Sequence, residues 1–516
     1  MRFHLPCGIA SALALVLLCL APGCAGRPPV TAFERTPTYA VPASATADTR
    51  LGTAAALHLR HDESGFHLLP NGVDAFLTRL GLVEAAERSV DLQYFSTRDD
   101  STGKLLLDAV WRAANRGVRV RLLLDDWNLD DFKKGVAALN AHPNIEIRVF
   151  NPYVTNDQTP LALITNAIAD RDALTRRMHN KALIADNQMA VMGGRNLGDE
   201  YFDASSERAF HDMDVLAAGP IVSRMSQSFD TYWNSAESYP LEALAIPPLD
   251  PQKIAALHDD WRQHRQDMLH STSGEMLRNF SLFSLPLVRA KAELVADNPL
   301  KIETPPKDTT SKPEDTLGQL VRHAGNEFII ITPYFVPLDD GTRWLLAIAG
   351  RGVDVRILTN SLASTDMVMV HAGYSHYRHA LLSGGIELYE LKAIGGKLPR
   401  RMFKASSQAS LHAKVYIIDR RDLVVGSFNM DPRSIQFNTE QVLVIHSPAL
   451  AGQAAGIFEH AISPENSYRL ELKDGRIEWI TKKNGKMEYF GSDPEAGAMR
   501  RITDWLFGIL PIDEQL

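Results

Sequence analysis

Two stretches of this chain carry the same chemical groups at the same spacing. Residues 179–196 read HNKALIADNQMAVMGGRN and residues 412–429 read HAKVYIIDRRDLVVGSFN. Each is His-x-Lys, four residues, Asp, six residues, then Gly-Gly/Ser-x-Asn. An imidazole serves as a nucleophile or as an acid and base, and an ammonium draws the oxygens of a phosphodiester. An amide donates N–H, and a glycine lets backbone approach a ligand closely. His179, Lys181 and Asn196, with His412, Lys414 and Asn429, are therefore candidate catalytic groups for phosphodiester chemistry. Gly193, Gly194, Gly426 and Ser427 are the candidate phosphate-side loop residues.

These groups need elements to hold them. Residues two apart on a strand share a face, so His179 and Lys181 point the same way, as do His412 and Lys414. The apolar runs 182–185 and 189–192, separated by Asp186-Asn187-Gln188, predict strand, turn, strand. A symmetric hairpin sets His179 opposite Asn196 and Lys181 opposite Gly194; its copy sets His412 opposite Asn429 and Lys414 opposite Ser427. Asp186 and Asp419 stand seven residues from their histidines, about 20 Å along an extended strand. They belong to the turns and read as structural. A histidine held in one tautomer needs a partner on its second nitrogen, usually a carboxylate. The candidates are Asp212 and Glu440, each downstream of a motif.

The wider pattern alternates between helix and strand. Phe76, Leu80, Val83 and Ala86 mark a helix, 90–95 a strand, and Leu106, Ala109, Val110, Ala113 and Ala114 a second helix that Gly117 stops before a strand at 118–124. The same succession returns from 317 to 359, with strands at 328–332 and 353–358. RGVRVRLL from Arg116 matches RGVDVRIL from Arg351 at an offset of 235. Ile145-Glu146 matches Ile386-Glu387 at 241, Tyr94-Phe95 matches Tyr334-Phe335 at 240, and the histidine motifs match at 233. Such offsets imply a duplication: two homologous α/β halves, 61–236 and 314–463, packed as a pseudo-dimer. Residues 237–313 read as a connecting insertion over the surface, with a polar helical stretch near 252–269. In 464–516, Asp474-Gly475 and Asn484-Gly485 predict a β-meander. Ile502, Trp505, Leu506, Ile509 and Leu510 then fall at helical spacing, a face suited to packing on the body or to a lipid headgroup layer.

A chain of 516 residues exceeds one core, and 45% apolar with 22% charged residues describes a globular body. A formal net charge of -8 argues against a general nucleic-acid binder. The three cysteines, Cys7, Cys19 and Cys24, lie in the first 24 residues, so the rest of the chain forms no internal disulfide. Arg2, an apolar run 9–20 and Ala21-Pro22-Gly23-Cys24 have the order of a secretory signal over 1–23. Gly23-Cys24 resembles the end of a bacterial lipoprotein signal, which implies lipidation of Cys24. The Pro-, Ala- and Thr-rich segment 24–60 reads as a tether. The expectation is an exported, membrane-associated, periplasm-facing lipoprotein.

The paired motif resembles that which defines the phospholipase D superfamily. The stretches 85–94 (AAERSVDLQY), 103–126 and 377–390 are similar to the C-type branch of the bacterial cardiolipin synthases. The resemblance implies two phospholipase D-like halves, each a mixed β-sheet flanked by helices, with one shared active site. It also implies a covalent phosphohistidine and no cofactor or required metal. Glu440 matches the acidic residue that supports a motif histidine in the superfamily, and Asp212 takes the equivalent place in the first half. The implied reaction is phosphatidyl transfer, giving cardiolipin from phosphatidylglycerol and a second phospholipid, with His179 as nucleophile and His412 as acid and base. Hydrolysis to phosphatidic acid is the alternative reaction; a phosphodiesterase or nuclease is a further one. Membrane phospholipids are the expected partners and nucleic acid is not. Arg176, Arg177, Lys397, Arg400, Arg401 and Lys404, upstream of the two motifs, read as attractors of anionic headgroups or as solvated loop charges. His371, His376 and His379 read as surface or groove residues rather than a metal site.

Overall fold

The computed structural model describes residues 30–58, 63–153, 175–244, 246–271, 274–393 and 408–509. Seven strands form the body of the first half's sheet, with the short strand Ser238–Pro240 added beside the fourth: β1 (Ser64–Leu69), β2 (Ser89–Tyr94), β3 (Arg119–Asp125), β4 (Ile145–Phe150), β5 (Ala182–Ala185), β6 (Met189–Gly193) and β7 (Asp214–Ala218). They lie in the order β4-β3-β2-β5-β6-β7-β1, with β2, β3 and β4 parallel and the remaining pairs antiparallel. The second half repeats the plan with β8 (Val288–Ala296), β9 (Glu327–Ile331), β10 (Asp354–Asn360), β11 (Glu387–Leu391), β12 (Val415–Ile418), β13 (Asp422–Gly426) and β14 (Gln441–His446). Their order is β11-β10-β9-β12-β13-β14-β8. Strand for strand, the two sheets are copies.

The halves join edge to edge, β1 pairing antiparallel with β8 through Ser64↔Ala290, Gly65↔Arg289 and Phe66↔Val288. Beneath that junction lies one apolar core to which both contribute: Ile184, Val215 and Phe229 from one side, Val415, Ile417, Leu443 and Phe458 from the other. The outer faces of the two sheets pack against their own helices in separate cores. Helix ends follow local chemistry. Asn71 accepts from the N–H groups of Val73 and Asp74 at the start of Gly72–Ala85, and Gly117, at φ +91°, turns the chain after Ser101–Asn115.

Four expectations need correcting. The hairpin turn is the expected 186–188, with Asp186 and Asn187 at left-handed φ, as are Asp419 and Arg420, but its odd number of residues shifts the pairing register. Ala185 therefore pairs with Met189 and Ile418 with Asp422. Continued to the motif, that register sets Lys181 opposite Gly193 and Lys414 opposite Gly426, one residue from the symmetric estimate. Next, β2 and β9 align at an offset of 238, since Val90 faces Ala185 and Phe328 faces Ile418, so Tyr94 corresponds to Thr332 rather than Tyr334. Third, the connecting insertion contains β8, a full strand of the second sheet, and its helix, Pro251–His270, forms where expected but buries Trp261 instead of only lying over the surface. Last, part of the tether is a strap clasped to the first half. Buried Arg121 and Arg148 donate to the carbonyls of Thr38 and Thr36, Arg35 donates to Ser235 and Ser238, and Asp230 accepts from Ala40 N–H. These bonds run through backbone carbonyls, which leave no apolar periodicity in the sequence.

The meander forms as Ser467–Lys473, Arg476–Lys483 and Lys486–Phe490, extending the second sheet from β11. Both turns have two successive residues at positive φ, Asp474-Gly475 and Asn484-Gly485. The final helix, Ala498–Gly508, turns its polar side to the body. Asp504 lies 2.8 Å from His371 Nδ1, and Arg500 donates to the carbonyl of Thr365. Its apolar face points outward, with Met499 75%, Trp505 64% and Ile502 52% exposed. Packing of that face on the body is thereby overturned for Ile502, Trp505, Leu506 and Ile509; Leu510 lies outside the described residues.

Candidate active site

Both motifs converge where the two halves meet, and they are stitched together by backbone. His179 N–H donates to the carbonyl of Thr439 (3.0 Å), and His412 N–H donates to that of His211 (2.7 Å). Thr439 and His211 are the residues immediately before Glu440 and Asp212. A short strand, Arg208–His211, also runs parallel with Gln408–Leu411, which leads into His412.

The side chains pair in the same crosswise sense. His179 Nδ1 lies 3.0 Å from both oxygens of Glu440 and 3.1 Å from the Ser427 carbonyl. His412 Nδ1 lies 2.6 Å from Asp212 Oδ2. The carboxylate downstream of each motif thus serves the histidine of the other half. A carboxylate accepts at each Nδ1, in His412 at shorter range than Lys414 Nζ at 3.2 Å, so the proton sits there and Nε2 keeps its lone pair. Glu440 is held by the hydroxyls of Ser427 and Ser434 (Ser434 Oγ at 2.8 Å). Burial pushes its pKa up, but His179, Lys181 and Ser427 outweigh that and hold it below the usual range. Asp212, buried beside Lys414 and Arg195, is pushed up by desolvation.

Both lysines are buried, and each donates to the carbonyl of its motif histidine, Lys181 at 2.6 Å. Desolvation lowers both, Lys414 to about 8 and Lys181 well below its ordinary value, and Lys414 depresses Lys181 further. The imidazoles respond to the same environment: His179 falls to about 4, and His412 well below its ordinary value, through burial and the neighbouring cations. Four basic groups crowded away from water describe a pocket awaiting an anion. Asn196 and Asn429 are buried, each with an amide oxygen that has no partner among the described residues. Their turned amides would offer N–H to a bound phosphate.

The remaining motif residues have other surroundings. A Cβ on Gly194 would stand 2.4 Å from Asp212 Oδ1, one on Gly193 2.1 Å from Asp214 Oδ1, and one on Gly426 2.2 Å from the Gln441 carbonyl. These glycines admit the neighbouring strand and its carboxylate, where the sequence suggested room for a phosphate. Ser427 anchors Glu440. Asp186, buried in its turn, accepts from the N–H groups of Glu87, Arg88 and Ser89 at the start of β2. Asp419 does the same for Gly325, Asn326 and Glu327 before β9. Cys24 lies outside the described residues.

Sequence reasoning missed the rings that box the site. Phe95 contacts the His179 ring at 5.1 Å, lies 5.2 Å beneath Lys181 Nζ and stacks on Trp127. Tyr201 and Phe210 contact the His412 ring, each at 5.2 Å, and Tyr334 lies beneath Lys414 Nζ at 5.9 Å. No local pattern marks them, since single aromatic residues serve cores as often. Arg176 and Arg177 are buried: Arg176 donates to the carbonyls of Ile302 and Thr304, and Arg177 binds Asp125. Neither headgroup attraction nor solvation describes them; Lys397, Arg400, Arg401 and Lys404 lie outside the described residues. His371 is likewise buried; its Nε2 and the carboxylates of Glu390 and Asp493 gather around the Arg378 guanidinium, which fills the place a metal would need.

Residues 80–233 and 317–462 match the family model described as cardiolipin synthase, PLD-like domain. Cardiolipin synthase C of Escherichia coli strain K12 is 38% identical over 460 residues, 87% of this chain and 96% of that protein. The chain belongs to the cardiolipin synthase family of the phospholipase D superfamily. A further relative in that family, cardiolipin synthase B of Salmonella typhimurium strain LT2, is 26% identical over 383 residues, 73% of this chain and 76% of that protein. Among solved structures, the phosphatidylserine synthase of Haemophilus influenzae Rd KW20 shares the fold with a TM-score of 0.55 at 12% identity, covering 90% of this chain and 99% of that one.

Proposed function

We propose that this protein is a phosphatidyltransferase that forms cardiolipin from phosphatidylglycerol and a second phospholipid through a phosphohistidine. The crosswise carboxylate pairing carries this reading, because it leaves two imidazole Nε2 atoms free beside two lysines. His179 Nε2 attacks phosphorus, backed by Glu440, the carboxylate held the more firmly ionised. The phosphorus–oxygen bond to the departing alcohol breaks as His412 delivers a proton to that oxygen. His412 then takes the proton of the acceptor hydroxyl, whose oxygen attacks phosphorus and releases His179. Burial and the neighbouring lysines favour the neutral form of both rings; an entering phosphodiester anion offsets the lysines and lets His412 carry its proton.

The lipid substrate must reach this site from a bilayer. No helix among the described residues is long and apolar enough to cross a membrane. Export with a lipid on Cys24, and seating of the outward face of Ala498–Gly508 in the headgroup layer, would bring the protein to its substrate. Incubation of the purified protein with vesicles of labelled phosphatidylglycerol, followed by lipid separation, tests the reaction. Cardiolipin is the expected product, and His179→Ala and His412→Ala each lower its formation by about a thousandfold or more. Absence of both cardiolipin and phosphatidic acid, or alanine variants as active as the wild type, would overturn the reading.

A further inference from the structure

Donor and acceptor are different molecules in a transfer reaction, yet the site is built from two copies of one motif. The copies must therefore differ where the substrates do. On the Lys181 side the wall is apolar: Phe95 lies under the ammonium with Trp127 stacked on it. On the Lys414 side the ring is Tyr334, and its hydroxyl donates to Asp366 Oδ2 at 2.9 Å. Burial and Asp366 both raise the Tyr334 pKa, so the phenol stays protonated and keeps donating. Asp366 Oδ1 is buried and has no hydrogen-bond partner.

The loop carrying Asp366 starts at Asn360, at the end of β10. Ligands gather at the carboxyl ends of parallel strands in such sheets. Asn360 fixes the loop to the second motif, donating to the Leu411 carbonyl (3.0 Å) and accepting from Leu411 N–H (2.8 Å), one residue before His412. Ser364 Oγ ties the loop back to Asn360 at 3.0 Å. In the first half the counterpart of Asn360 is Asp125, which accepts from Met178 N–H and binds Arg177. Asp366 is close enough for its charge to act on Lys414 and Tyr201, inside the site, and on Arg500 of the final helix. It stands between the phosphate pocket and the helix with the exposed apolar face.

We propose that Asp366, oriented by Tyr334, recognises the acceptor: its free Oδ1 accepts a hydrogen bond from a second hydroxyl of a polyol headgroup while the first hydroxyl attacks phosphorus. A neutral hydroxyl fits better than an ammonium, because Lys414 and Arg500 already place positive charge on either side. The acceptor side is then the Lys414 side. This inference rests on the phosphatidyl-transfer reading.

Butane-1,2-diol and 1-butanol differ by one hydroxyl, and offered together in one tube with labelled phosphatidylglycerol they report acceptor choice as a product ratio. That ratio does not depend on how much of a variant is folded. The wild type favours the diol by about tenfold, as a hydrogen bond to a charged group provides. Asp366→Ala brings the ratio to within about twofold of unity, while Tyr334→Phe, which removes only the orienting hydroxyl, falls between. A parallel tube pairs 2-aminoethanol with ethanol; a stronger preference for the amine than for the diol refutes the polyol assignment. Equal use of the two butanols by the wild type, retention of its preference by Asp366→Ala, or loss of all product in that variant refutes the role of Asp366. A wild type that transfers to no alcohol and makes no cardiolipin fails earlier, at the transfer reaction itself.

Discussion

Two ammonium groups sharing a buried pocket limit the pH range over which the pocket attracts a phosphodiester. Lys414 is lowered by burial to about 8 even though Asp212 and Glu440 oppose the shift, and Lys181 is lowered by burial and by Lys414. Below pH 8 Lys414 is charged and the anion is drawn in. Above pH 8 it loses its proton, and the attraction goes with it. Because kcat/KM reports the free enzyme, its alkaline decline should begin near pH 8 instead of in the ordinary lysine range above 10. Lys414→Arg, whose guanidinium stays charged, should push that decline upward at a lower overall rate. A pH profile of kcat/KM with a soluble phosphodiester checks this. A flat profile to about pH 9.5 in the wild type would show that the pocket holds its protons more firmly than burial allows.

At the scale of elements, each motif hairpin is locked to the sheet by its turn. Asp186 is buried and satisfies three N–H groups at the start of β2, whereas Asp419 makes the same bonds before β9 in a half-exposed setting. Buried donors left unmade cost more than donors that water can reach. Asp186→Ala should therefore lower unfolding stability by roughly 3 kcal/mol and Asp419→Ala by roughly 1 kcal/mol. Activity per folded molecule should fall by less than about threefold in either, since the turn lies at the far end of the hairpin from its histidine. Denaturant titration beside active-site counting would check both numbers. A folded but inactive Asp186→Ala would return that aspartate to the chemistry. The sequence showed the turn's existence and its aspartate, because strand, polar break and strand form a local pattern. It showed the three-residue turn as well, but not the pairing register, because Asn187 and Arg420 adopt left-handed backbone without the glycine that normally signals it. Strand β8 was legible and went unread: Val288, Ala290, Ala292 and Leu294 alternate with the exposed Arg289, Lys291 and Glu293.

Across the whole molecule, the duplication was legible in its offsets, and the crosswise site was not. No local spacing records that Glu440 turns to His179 and Asp212 to His412; that exchange exists only once the halves meet. The same meeting determines where the final helix sits. Arg500 reaches Thr365 and Asp504 reaches His371, so the helix lies beside the loop that holds Asp366, and its apolar face looks outward next to the site. A protein with net charge -8 gains little from the charge of an anionic bilayer. Its docking should instead come from apolar burial, and salt, which screens the repulsion between two negative surfaces, should not weaken it. Trp505 and Leu506 are 64% and 48% exposed, and taking their surfaces out of water in a headgroup layer is worth roughly 2 kcal/mol together after partial burial. The double variant Trp505→Ala/Leu506→Ala should then bind phosphatidylglycerol vesicles about thirtyfold more weakly in cosedimentation. Its turnover of vesicle lipid should fall in step, and its turnover of a short-chain, monomeric phosphodiester far less. Equal loss on both substrates would mean that the helix braces the site rather than bringing it to the membrane.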